Sequence, residues 1–152
     1  MNMEKAWRAA LAAGAIAATF ILSGPAHALQ LITAKEAALP PMPTVHERGI
    51  SRGPTIVVVS PAPNAGMIQS PFTLKVSFES HGSATVDVDS VLVTYMKEPT
   101  IDLTQRIKPF IGASGIDVND AQVPPGTHTL RVDVTDSQGR TTSTDLTFRV
   151  SQ

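Results

Sequence analysis

The 152-residue sequence predicts an all-β domain, an antiparallel two-sheet sandwich of about seven strands, and three observations carry that expectation. Short runs whose side chains alternate between apolar and polar recur from Thr55 onward. Turn-forming residues separate these runs at intervals of about ten residues, the spacing of a sandwich. Across the same roughly 100 residues, enough for a self-sufficient core, no helical periodicity stands out.

The chain opens differently. Residues 1–28, "MNMEKAWRAALAAGAIAATFILSGPAHA", place Lys5 and Arg8 ahead of an apolar run from Ala9 to Leu22, followed by Ala26 and Ala28 in the small-x-small pattern that signal peptidase accepts. The run is shorter than the roughly 20 residues a spanning helix needs and is rich in Ala, so the expectation is a Sec-type signal peptide cleaved after Ala28, with no stable membrane span afterwards. The absence of Cys leaves no site for lipid attachment and no disulfide, which suits a periplasmic or secreted domain held together by its core alone. Residues 29–54 form another compositional zone. Pro40, Pro41, Pro43 and Pro54, with Gly49 and Gly53, point to a flexible Pro-rich tether, in which Thr33 and Glu36 have the spacing of a capping box for a short turn over Thr33–Leu39.

The folded domain is expected over residues 55–152. "TIVVVS" (Thr55–Ser60) is β-branched and ends at a Pro-rich break. "FTLKVSFE" (Phe72–Glu79) puts Phe72, Leu74, Val76 and Phe78 on one face. "SVLVTYM" (Ser90–Met96) alternates less cleanly but groups Val91, Val93 and Tyr95. Gln105–Ile111 and Ile116–Val118 are read as two further strands around the loop Gly112–Gly115. "HTLRVDVTDSQGRTTSTDLTFRV" (His128–Val150) reads as the closing hairpin: Leu130, Val132 and Val134 face inward, Thr129, Arg131, Asp133 and Thr135 face water, Gly139 takes the turn, and Leu146, Phe148 and Val150 return along the core.

In this second half, "DLTQRI", "GIDV" and "VPPGTHTLRVDVTDSQGRTTS" resemble bacterial immunoglobulin-like modules of the fibronectin III or cadherin-like kind. The matching positions are Asp102, Leu103 and Thr104 for a bend, Pro125, Gly126 and His128 for a turn, and Asp136, Gly139 and Arg140 for the hairpin, where Arg140 replaces the family's usual Asn. The resemblance covers roughly the last fifty residues and implies an exported adhesion, carrier or spacer module.

Charge and composition exclude several functions. The whole chain has 12 Lys+Arg against 13 Asp+Glu, and removal of residues 1–28 leaves ten against twelve without any basic run, so nucleic acid is not an expected partner. The only Trp is Trp7, which leaves few aromatic platforms for glycans. His46, His81 and His128 have no Gly-x-Ser-x-Gly elbow to serve and read as solvated residues, so no catalytic residue is assigned. Asp87 with Asp89, and Asp117 with Asp120, lack the loop pattern of a calcium site; Met67 and Met96 are isolated, which argues against copper. No metal or cofactor is expected. Two classes of function remain: a non-catalytic module that binds another envelope or extracellular protein or acts as a spacer, and a module that binds Ca²⁺ or a glycan. The candidate interaction loops are those of Pro99, Gly112, Ser114, Asp117, Asn119 and Asp120, where the pattern frees side chains from packing.

Overall fold

The computed structural model describes residues 28–43 and 52–151. The expected signal peptide, apart from Ala28, and His46 lie outside the described residues. Among the described residues, ten strands form two five-stranded sheets. In the first, β1 (Leu29–Gln30), β8 (Gly115–Gln122), β4 (Phe72–Glu79) and β2 (Thr55–Ser60) lie in that order, and β7 (Ile111–Gly112) also pairs with β8. The second runs β3 (Met67–Ile68), β10 (Thr141–Val150), β9 (Gly126–Asp136), β5 (Val86–Tyr95) and β6 (Ile101–Asp102). Six of the seven runs read as strands are strands, and four further ones of only two residues bring the total to ten. The sheets are mixed rather than purely antiparallel, because β1 runs parallel to β8 and β3 parallel to β10.

Alternation fixes which faces are buried. Leu74, Val76 and Phe78 from β4, Ile116 and Val118 from β8, Val91, Val93 and Tyr95 from β5, and Leu130, Val132, Val134, Leu146, Phe148 and Val150 from the closing hairpin all belong to one buried cluster. Phe72 meets Phe148 edge-on, with ring centroids 5.3 Å apart. Their opposed sheets thus share one core, the condition for a two-layer β fold. The outer residues of β9 are less solvated than the alternation suggests. Directly opposed partners on β10 cover them: Arg131 forms a two-pronged ion pair with Asp145 at 2.8 and 3.1 Å, and Thr129 and Thr135 bond the hydroxyls of Thr147 and Thr141.

Two glycines hold positions closed to other residues. Gly139 has φ +75° in the β9–β10 turn. A Cβ on Gly115, whose φ is +145°, would lie 2.0 Å from the carbonyl oxygen of Val76. The Asp136–Arg140 turn is further tied by the Asp136 carboxylate, which accepts the backbone N–H groups of Gln138 and Arg140 and the Arg140 Nε–H. Arg140 reaches its own turn partner through a longer donor than Asn offers.

Two expectations need correction. Gln105–Ile111 is not a strand: α2 (Thr104–Ile107) and a 3-10 turn (Lys108–Phe110) replace it. Leu103 and Ile107, four residues apart, are both fully buried while Gln105 midway between them is exposed; a strand would turn all three to one face, and a helix does not. The Asp102 carboxylate starts this turn by accepting the Thr104 N–H at 2.8 Å, while the Thr104 hydroxyl accepts the Val93 N–H at 2.9 Å.

The second correction concerns the tether. Over residues 29–43 the chain is packed into the fold, with Leu31 and Ile32 at 0% and 1% exposure. The capping box does form, with Thr33 and Glu36 bonding each other's backbone N–H at the start of α1 (Ala34–Ala37). Composition recorded the prolines but not the partners that wait for this segment. Gly53 and Pro54 are also buried, and residues 44–51 lie outside the described set.

Candidate functional site

The six candidate residues divide between the sheets. Pro99 is exposed in the β5–β6 connection. The other five follow one another along β7 and β8. Gly112 ends β7, Ser114 sits in the tight β7–β8 turn and accepts the Phe78 N–H at 2.9 Å, and Asp117, Asn119 and Asp120 lie within β8. The last three therefore belong to a strand and not to a loop. They are exposed nonetheless. Asp117 points to the outer face and pairs with Lys75 of β4 at 2.9 Å, both side chains being about half exposed. Asn119 and Asp120 are exposed together because β8 carries an extra residue there: Leu74 faces Val118, but Phe72 faces Ala121. Such a bulge turns two successive side chains outward and bends the strand.

A second irregularity lies on β5. Asp87 pairs with Thr135 and Leu92 with Asp133, so five steps on β5 oppose two on β9. The Ser90 hydroxyl fills the interrupted ladder, accepting the Thr135 N–H at 3.0 Å and donating toward the Thr135 or Asp87 carbonyl. Where β5 bows out, a cleft of about 160 Å³ opens against α2, lined by Val88, Asp89, Leu92, Asp102, Lys108 and Ile111 among others. Half-exposed Leu92 stands at this cleft. The hydrogen bonds from Thr104 hold the Asp102 carboxyl below its ordinary range.

The two described histidines occupy different environments. His81 is exposed, its Nε2 2.7 Å from the Thr55 hydroxyl. His128 is buried at 2% exposure, which corrects the expectation of a solvated side chain. Its Nε2 faces the Pro124 carbonyl at 2.9 Å and donates to it, so Nδ1 is the acceptor for the Tyr95 hydroxyl at 2.8 Å. Burial pushes the His128 imidazole below its ordinary value and raises the Tyr95 phenol to about 12. Both groups are neutral, and both ring nitrogens are occupied. The pair completes a core, where a proton shuttle would need an open nitrogen.

Sequence reasoning missed the residues that receive the N-terminal segment. Lys97, 7% exposed, donates to the carbonyls of Ala37 and Leu39 at 3.0 and 2.9 Å and lies 5.4 Å from the Tyr95 ring centroid. Arg106 of α2 donates to the Leu31 carbonyl at 2.8 Å and grips both oxygens of Glu36. This guanidinium lowers the Glu36 carboxyl to about 2. The signal available in the sequence was Glu36 itself, whose capping role left one carboxylate in need of a cation.

Among the described residues, no group of three or more His, Cys, Asp or Glu is placed to hold a metal ion, and no helix is long and apolar enough to cross a membrane. Comparison with protein-family models, with curated proteins and with solved structures finds no match to this chain.

Proposed function

We propose that the protein is a non-catalytic, exported immunoglobulin-like module that acts in the periplasm or outside the cell, binding another envelope protein or spacing other components. The observation that carries this reading is strand order. With the two-residue β1 and β6 set aside, the order β2-β4-β8-β7 in one sheet and β3-β10-β9-β5 in the other resembles the A-B-E-D and G-F-C sheets of immunoglobulin-like sandwiches, with β3 as a short first-strand extension beside the last strand, and this likeness supports the reading. Export rests on the Lys5 and Arg8, apolar run, Ala26 and Ala28 pattern of residues 1–28.

The binding surface in this reading is the outer side of β7 and β8, from Gly112 to Asp120, with the cleft beside Leu92 on the other sheet as a second contact. Phe110, the only exposed aromatic residue among the described ones, lies next to β7 in sequence and supplies an apolar anchor there. The test is capture of envelope proteins on the immobilised protein, with Asp117→Ala/Asp120→Ala beside the wild type. Loss of captured partners at an unchanged melting midpoint supports the reading. A midpoint raised by Ca²⁺ or by a polysaccharide, with no protein captured, replaces it with the ligand-binding alternative.

A further inference from the structure

The segment Leu29–Pro43 behaves as a plug seated in a groove made by the rest of the chain. Leu31 and Ile32 are fully buried, and both of their N–H groups donate to the Gln122 carbonyl. Apart from these and the β1–β8 ladder at Ala121 and Gln122, the bonds described between this segment and the remainder end on residues 96–106: Lys97 on the carbonyls of Ala37 and Leu39, Glu98 N–H on the Pro40 carbonyl, Met42 N–H on the Met96 carbonyl, and Arg106 on Leu31 and Glu36. The groove and the segment are matched in charge as well as in shape. The two cations of the groove face one carboxylate and three carbonyl oxygens of the segment, and the neighbouring wall takes two apolar side chains.

We propose that this groove is an exchange surface between copies of the chain: Leu29–Pro43 of one copy occupies the groove of a second, and the second returns its own. The match just described fits this chain's own sequence, so the partner it selects is another copy. None of the contacts depends on the covalent link through residues 44–51, and each forms equally well when the segment belongs to a neighbour. Reciprocal exchange closes a two-fold pair in which the contacts within each groove are unchanged, the least costly route to a dimer. The closed monomer and the exchanged dimer differ mainly in association entropy, so protein concentration sets the balance between them.

The experiment uses the absence of native Cys. Gln30 and Gln122 are exposed and directly paired in the parallel β1–β8 ladder, so Gln30→Cys/Gln122→Cys places two thiols across the joint. The full-length variant is unfolded in acid, refolded at low and at high concentration, and oxidised. Exchange gives disulfide-linked dimers on a non-reducing gel, in a fraction that grows at least several-fold with the refolding concentration and disappears on reduction. A control that pairs Gln30→Cys with Ser137→Cys, on the distant β9–β10 turn, stays free of such dimers. Only internally linked monomer at every concentration, no link at all, or equal dimer in the control would each overturn the proposal. Sedimentation of the wild type refolded at the higher concentration gives a second reading without cysteines: a dimer supports exchange and a monomer throughout overturns it.

Discussion

The closing hairpin and the N-terminal segment are both built into the fold, yet by opposite means. β9 and β10 pair over ten consecutive positions and bury six apolar side chains on one face. Leu29–Pro43 has two ladder positions, two fully buried apolar side chains and a set of polar grips from Lys97 and Arg106. One region is held by area removed from water, the other by a few directed bonds that need particular partners. The difference teaches that the first kind of attachment is written locally, residue by residue, whereas the second is written in two distant places.

That contrast can be broken by substitution, and the largest effects belong to the hairpin. Val132→Asp puts an unpaired carboxylate between the sheets and should prevent folding, seen as loss of the β signal in circular dichroism. Phe148→Ala, which also abandons Phe72, should cost about 3 to 5 kcal/mol in urea unfolding. Leu31→Ala should come next, at about 2 to 3 kcal/mol, if the segment and the sheets unfold together. Should amide exchange at Leu31 and Ile32 rise while the sheet amides stay protected, the segment is instead a separately opening unit.

Acid sharpens the comparison. Glu36 titrates near 2 in the folded protein against an ordinary value of 4.5, so its contribution is complete above pH 4.5 and is lost as pH falls toward 2. His128 has the same sign in a different window. Its folded value lies below 6.5, so the stability it contributes is complete above pH 6.5 and declines as pH falls below that, because the unfolded chain takes up the proton first. Amide exchange of the segment against pH should therefore show a step between 4.5 and 2 that Glu36→Gln removes. A profile unchanged by Glu36→Gln would detach the ion pair from the docking. The smallest effect is expected at Asp117→Ala, whose half-exposed pair with Lys75 should be worth less than about 0.5 kcal/mol in the same urea measurement.

What could be read from the sequence follows the same division. "TIVVVS" and "FTLKVSFE" become β2 and β4 with the boundaries the alternation marked, and the capping box at Thr33 and Glu36 forms, because each depends on neighbours within a few residues. The docking of Leu31 could not be read, since Arg106 reaches it across 75 positions, and a lone Arg carries no mark of its partner. The exposure of Asn119 and Asp120 was legible but not its cause: a bulge exists only relative to the strand opposite. At α2 the spacing of Leu103 and Ile107 fits one face of a strand as well as of a helix, so it did not decide against the alternation read through Gln105–Ile111. His128 was misplaced because a polar residue at a strand start reads as solvated unless the Tyr95 hydroxyl and the Pro124 carbonyl are known to converge on it.

Tyr95 gives the molecule its own optical probe. It is the chain's only tyrosine, it donates to His128, and it lies under the ammonium that holds the N-terminal segment. With a phenol that ionises near 12, the folded protein stays dark in the tyrosinate ultraviolet band at pH values where an open tyrosine already absorbs. In alkali the unfolded chain surrenders that proton first, so stability is intact below about pH 10 and drains away as pH climbs toward 12. A single absorbance trace therefore follows the joint between sheet and segment, with no dye and no engineered label.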